Sequence, residues 1–214
     1  MTLTAEFPKL KRGLVAILRG LKAEEAEAIG AQLWEAGIDA IEVPLNSPNP
    51  FRSIETLVLT LPAEALLGAG TVLTASQVDD LASAGGRLLV SPNIDAAVMQ
   101  RAGHHGMVTM PGVFTPTEAF QAIALGASGL KFFPASVLGA KGIAAIRAVL
   151  PSDVKIGAVG GVSEKDFAEY AKVGVTLFGL GSSLYAPGLS AAEVGARAVA
   201  AVAAYDAVFH GGAA

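Results

Sequence analysis

The sequence has no cysteine, which excludes disulfide staples and thiol chemistry and fits a cytosolic protein without requiring one. It has no basic run. Its 15 Lys and Arg stand against 19 Asp and Glu, for a formal net charge of -4, so nothing marks a nucleic-acid surface. No uncharged apolar stretch reaches the ~18 residues of a membrane span. The opening MTLTAEFPKLKR is polar and lacks the apolar core of a signal peptide, so a cytoplasmic location is expected. Charged residues are scarce, at 16% of the chain, and no linker rich in Pro, Ser or charge divides it. The expectation is one domain over 1–214, with 1–12 as a short N-terminal extension.

What the chain has in abundance is apolar residues, 52% of its 214 positions, with a mean hydropathy of +0.54. A chain of this size can bury roughly 70% of its unfolded surface. The apolar residues fall into eight short runs, at 13–20, 38–46, 65–72, 86–93, 106–113, 128–135, 154–161 and 174–183. Most are too continuously apolar for strands with one wet face, which is the pattern of parallel strands covered on both sides. Helical patterns lie between them, as in 23–37, 74–86, 115–127, 163–174 and about 190–209. Thr74, Thr115 and Ser163 are candidate N-caps, each with Gln77, Glu118 or Asp166 three residues on. Eight β-then-α units of roughly 27 residues predict a compact (β/α)8 TIM barrel. An open doubly wound sheet is the alternative, but its GxGxxG turn is absent after the first run, where "ILRGLKAEEA" has a single glycine.

In such a barrel the site lies at the C-terminal ends of the strands. The polar residues late in each run are Arg19; Glu42, Asn46 and Ser47; Thr71; Ser91 and Asn93; Thr109; and Lys131. They are followed by Gly160-Gly161 and by Gly181-Ser182-Ser183. The most anomalous is Lys131, inside "GLKFFPAS". It alternates with Leu130 and Phe132, so if those face the helices, Lys131 faces the barrel interior. Burial lowers a lysine's pKa and frees the amine to attack a ketone. A lysine that snorkels to the rim, or merely pairs with Glu42, is the alternative. Glu42, the one charge in "AIEVPLN", suits general acid–base work, or only neutralises a cation. The glycines of "AVGGVS" and "FGLGSS" suit an anion cradle built from backbone amides. His104-His105-Gly106 reads as a surface helix end rather than a metal site. Trp34 reads as core or interface.

Taken together, "AIEVPLNSP", "GAGTVL", "VSPNID", "LKFFPAS", "AVGGVS" and "GLGSSLY" resemble the class I aldolases of 2-keto-3-deoxy-6-phospho-sugar acids, over roughly 13–208 and in the same order. The resemblance implies a small (β/α)8 barrel, a homotrimer, and no metal or other cofactor. It implies cleavage of a phosphorylated 2-keto-3-deoxy sugar acid to pyruvate and D-glyceraldehyde 3-phosphate. It implies Lys131 as the Schiff-base lysine and Glu42 as proton acceptor and donor. Arg19 and Thr71 would hold the pyruvate carboxylate. Gly160, Gly161 and Ser182, with Gly181 beside them, would hold the phosphate, and Pro92 and Asn93 would line the pocket. Gluconate-type members commonly carry "EVTLRT" and a threonine before the double glycine, where this chain has "EVPLNS", hence Asn46, and Val159. Those two differences predict a preference for the galactonate epimer over the gluconate one. A phosphosugar isomerase or epimerase, or a non-catalytic phosphosugar-binding protein, would suit the same fold but would not need a buried nucleophilic lysine.

Overall fold

The computed structural model describes residues 5–211. The chain alternates strand and helix: β1 (Leu14–Ile17), α1 (Ala23–Ala36), β2 (Ala40–Pro44), α2 (Pro50–Thr60), β3 (Leu66–Gly70), α3 (Ala75–Ser83), β4 (Leu88–Val90), α4 (Ala96–His104), β5 (Val108–Met110), β6 (Gly112–Val113), α5 (Pro116–Ala124), β7 (Leu130–Phe132), α6 (Ala135–Arg147), β8 (Ile156–Val159), α7 (Phe167–Ala171), β9 (Leu177–Leu180) and α8 (Ala191–Phe209). Every strand pair is parallel, and β1 sits between β2 and β9. That excludes the open doubly wound order and gives the expected barrel.

Nine strand segments stand where eight were expected, because the run 106–113 is cut at Pro111. Proline has no N–H to give a ladder. The run nevertheless joins the two ends of the sheet. Val108 N donates to Arg87 O (2.9 Å) on one side. On the other, the amides of Gly129, Lys131 and Phe133 donate to the carbonyls of Thr109, Pro111 and Val113 at 3.1, 3.0 and 3.1 Å.

The strands alternate strictly. Ile41, Val43, Leu67, Leu130, Phe132, Ala158 and Phe178 pack against the helices. Val15, Ala40, Leu66, Leu88, Val90, Val108, Met110 and Leu177 fill the barrel. Phe7 joins that inner set. Part of the expected N-terminal extension is therefore a plug in the N-terminal mouth of the barrel, and residues 1–4 lie outside the described residues. Thr109, expected to point toward the site, instead points outward. Its Oγ1 accepts from Ser128 N (3.2 Å) and its N donates to Ser128 Oγ (2.9 Å), as strand parity between inward Val108 and Met110 requires.

The expected capping boxes form at Thr74–Gln77 and Thr115–Glu118. Ser163 behaves differently. Its N and Oγ both donate to the Asp166 carboxylate (2.8 and 2.9 Å), and α7 starts only at Phe167, so the helix is shorter than the 163–174 pattern. His104 and His105 end α4. His105 Nε2 lies 2.7 Å from Asp79, which Arg101 also binds. The indole of Trp34 is half-buried beneath the Lys11 ammonium, 4.0 Å from the ring centre.

Candidate active site

Two buried charged side chains meet at the C-terminal end of the barrel. Lys131 is 6% exposed and Glu42 is 2% exposed. Their strands have room for them because their neighbours are small. Lys131 is in register with Gly112 on one side and Gly157 on the other, and Glu42 with Gly68. Gly70 must also lack a side chain, since a Cβ there would fall 2.1 Å from Glu42 Oε2. Both groups open into one cavity of about 440 Å³ that also has Arg19, Phe133, Val159, Gly160, Gly161, Gly181 and Ser182 on its wall. That volume suits a small organic ligand. The Lys131 ammonium lies 4.6 Å from the centre of the Phe133 ring, a cation–π contact.

Burial dominates the electrostatics. It pushes the Glu42 carboxyl up to about 7 from its ordinary 4.5, against the opposing pull of Lys131 and Arg19. It also lowers the Lys131 amine, with Glu42 opposing the shift and Arg19 adding to it. Both groups are thus driven toward their neutral forms. Among the described residues the ion pairs join Arg12 to Asp206, Arg101 and His105 to Asp79, and His210 to Asp206. Lys131 and Glu42 therefore share a cavity without pairing directly, and Glu42 Oε2 is buried with no hydrogen-bond partner. An unpartnered buried oxygen is costly unless a ligand uses it. An amine whose pKa burial lowers and a carboxyl titrating near 7, facing one space, can add a nucleophile to a carbonyl and shuttle the protons.

Part of the wall is backbone. Gly160 and Gly161 have φ of +91° and +72°, a conformation that favours glycine. A side chain at Gly161 would also meet Ser136 Oγ at 2.5 Å. Among the described residues the amides of Gly161, Val162, Ser182 and Ser183 find no acceptor, so they remain available to an anion.

Of the residues singled out in the sequence, Arg19, Glu42, Lys131, Val159, Gly160, Gly161, Gly181 and Ser182 share the cavity wall. Four do not. Asn46 stands beside it, its Oδ1 accepting from Arg19 Nη1. Thr71 follows Gly70 with φ of +59°, a strained value for a β-branched residue. Pro92 and Asn93 stand close against Gly112, whose Cβ position lies 2.2 Å from Pro92 O and 3.0 Å from Asn93 N. The wall also includes Ile17, Val162, Tyr185, Ala186 and Pro187, none of them picked out beforehand. Apolar residues in an apolar sequence give no signal. Tyr185, at the end of "GLGSSLY", is the one that its place after a strand could have revealed.

Comparison with known proteins decides the family. A model of the KDPG and KHG aldolases matches residues 9–202. The chain belongs to the KDPG and KHG aldolase family. It is therefore an aldolase, a lyase. A Rhizobium meliloti protein named probable 2-dehydro-3-deoxy-6-phosphogalactonate aldolase is 66% identical over 96% of this chain and 97% of its own. An Escherichia coli 2-dehydro-3-deoxy-6-phosphogalactonate aldolase is 47% identical over 91% of this chain and 95% of its own. A solved structure described as native KDPGal superposes with a TM-score of 0.93 at 44% identity, over 96% of this chain and 99% of that one. Lys131 is the lysine on the cavity wall.

Proposed function

We propose that this aldolase cleaves 2-dehydro-3-deoxy-6-phosphogalactonate to pyruvate and D-glyceraldehyde 3-phosphate through a Schiff base on Lys131. The observation that carries the reading is the buried, unpaired Lys131 amine facing a Glu42 carboxyl that titrates near 7 across one cavity. The amine attacks the C2 ketone, and loss of water leaves a protonated imine. Glu42 takes the C4 hydroxyl proton, the C3–C4 bond breaks, and its electron pair passes into the imine as an enamine. The aldehyde leaves. Glu42 returns its proton to C3, and water releases pyruvate from the lysine. The free amides at Gly161, Val162, Ser182 and Ser183 suit the substrate phosphate. Arg19 suits its carboxylate, since a guanidinium can donate two parallel hydrogen bonds. In the same reading Thr71 joins Arg19 at the carboxylate, and Pro92 and Asn93 lie along the pocket.

The galactonate epimer is favoured by the names of two highly similar relatives and by apolar Val159 on the cavity wall. A homotrimer and a cytoplasmic location belong to the same reading. Among the described residues no helix is long and apolar enough to cross a membrane. Pyruvate release measured with each purified epimer tests the substrate. The expected result is a higher kcat/KM for the galactonate epimer, and equal or reversed values would overturn it. Lys131→Arg retains the charge but not the nucleophile and should lose nearly all turnover with both.

A further inference from the structure

The proposed carboxylate holder, Arg19, is an exposed side chain on the loop between β1 and α1. A long cation on a free loop would bind its target weakly, because ordering it costs rotamer and backbone entropy. The structure removes that freedom in several places. Leu18 N donates to Glu42 O (3.0 Å), Leu21 is fully buried, and its N donates to Leu18 O (3.2 Å). Gly20, next to Arg19, takes φ of +87°, and its Cβ position lies 2.6 Å from Pro187 Cγ. Gly20 N donates to Ser47 Oγ at 2.9 Å. Ser47 is itself 8% exposed, and its N donates to Pro44 O (2.9 Å) at the end of β2. The guanidinium then donates to the neighbouring Asn46 Oδ1. Ser47 fixes the backbone beside Arg19 and Asn46 fixes its side chain, both from the loop after β2.

We propose that Asn46 and Ser47 are positioning residues that aim Arg19 at the substrate carboxylate and so act on both epimers alike. The proposal rests on reading Arg19 as the carboxylate holder. It gives Asn46 a different task from reading the C4 hydroxyl, because its side-chain oxygen is already engaged by the guanidinium. It also explains the residue type. An acceptor is needed beside Arg19. A second cation there would repel it, and an aspartate would neutralise the charge that the carboxylate must feel.

The test is steady-state kinetics with both epimers, joined to borohydride trapping with pyruvate and with acetone, a ketone that has no carboxylate. Asn46→Ala and Ser47→Ala should each raise KM roughly tenfold, the worth of a hydrogen bond to a charged group or an orphaned amide, with kcat changed far less. Asn46→Asp should raise KM further than Asn46→Ala. Ser47→Thr, which keeps the hydroxyl, should restore KM. The pyruvate concentration needed for half-trapping should rise in step, while trapping by acetone stays unchanged. A changed epimer ratio in Asn46→Ala, or an equal loss of pyruvate and acetone trapping, would overturn the positioning role. Wild-type enzyme that traps neither ketone would overturn the aldolase mechanism itself.

Discussion

Lys131 and Glu42 are each unfavourable for folding as charges, and the proposed mechanism uses that. Glu42 titrates near 7 rather than 4.5, so the folded state holds this proton more tightly than the unfolded state. Stability from this group is intact below about pH 4.5 and declines as pH rises toward 7, by roughly 3 kcal/mol in all at 1.36 kcal/mol per unit. Glu42→Gln should therefore raise stability at pH 8, read from urea midpoints, while cleavage and exchange of the pyruvate methyl protons fall ~10²–10⁴-fold. A variant no more stable than wild type at pH 8 would show that the carboxyl is not strained by burial. Lys131 runs the other way. Its pKa is lowered, so the unfolded chain binds more protons just below pH 10.5 and stability rises with pH through that window. Thr71→Gly should relieve the positive φ and gain up to ~1 kcal/mol, with weaker pyruvate binding as the counterpart. Lys131 and Glu42 were legible because one charge inside an apolar strand is anomalous in any parallel barrel. Phe133 and Pro187 were not, since an apolar residue lining a site looks like one filling a core. The tie between Asn46 and Arg19 spans 27 positions and leaves no local trace.

At the level of elements, local chemistry was readable wherever it is local. The boxes at Thr74 and Thr115 follow from a hydroxyl and a carboxyl or amide three residues apart, which satisfy one another's orphan donors. In α5 the Glu118 carboxylate accepts from the amides of both Phe114 and Thr115 (2.8 Å each), and Thr115 Oγ1 accepts from Glu118 N. Thr115→Ala should cost ~1 kcal/mol, measured by chemical denaturation, and Thr115→Ser should recover most of it. The same spacing at Ser163 gave a different result. There Asp166 N donates to Ser163 O (3.1 Å) rather than to its Oγ, closing a separate turn ahead of α7. Residue types at the right spacing permit a capping box but do not force one. The break at Pro111 is similar. The run reads as one strand, and only the missing N–H divides it into β5 and β6.

At the level of the whole molecule, alternating apolar runs and helical patterns were enough to give a barrel, because parallel strands with helices on the outside are the main way to bury so much apolar sequence. The plug was not legible. Phe7 lies in a polar opening segment and gains meaning only from the ring of Val15, Ala40, Leu66, Leu88, Val108 and Leu177 that receives it. Phe7→Ala should cost ~3–5 kcal/mol and lower Tm by several degrees, while kcat at 25 °C holds, since Phe7 is at the barrel end remote from the cavity. A melt at the wild-type temperature would mean the plug is dispensable. The central claim is that the barrel buries Lys131 as the Schiff-base nucleophile. The most direct test is borohydride reduction of the protein with pyruvate, followed by peptide mass mapping. The account predicts one stable pyruvate adduct, on Lys131 alone and absent from Lys131→Arg. Unmodified protein, or an adduct on another lysine, would contradict it.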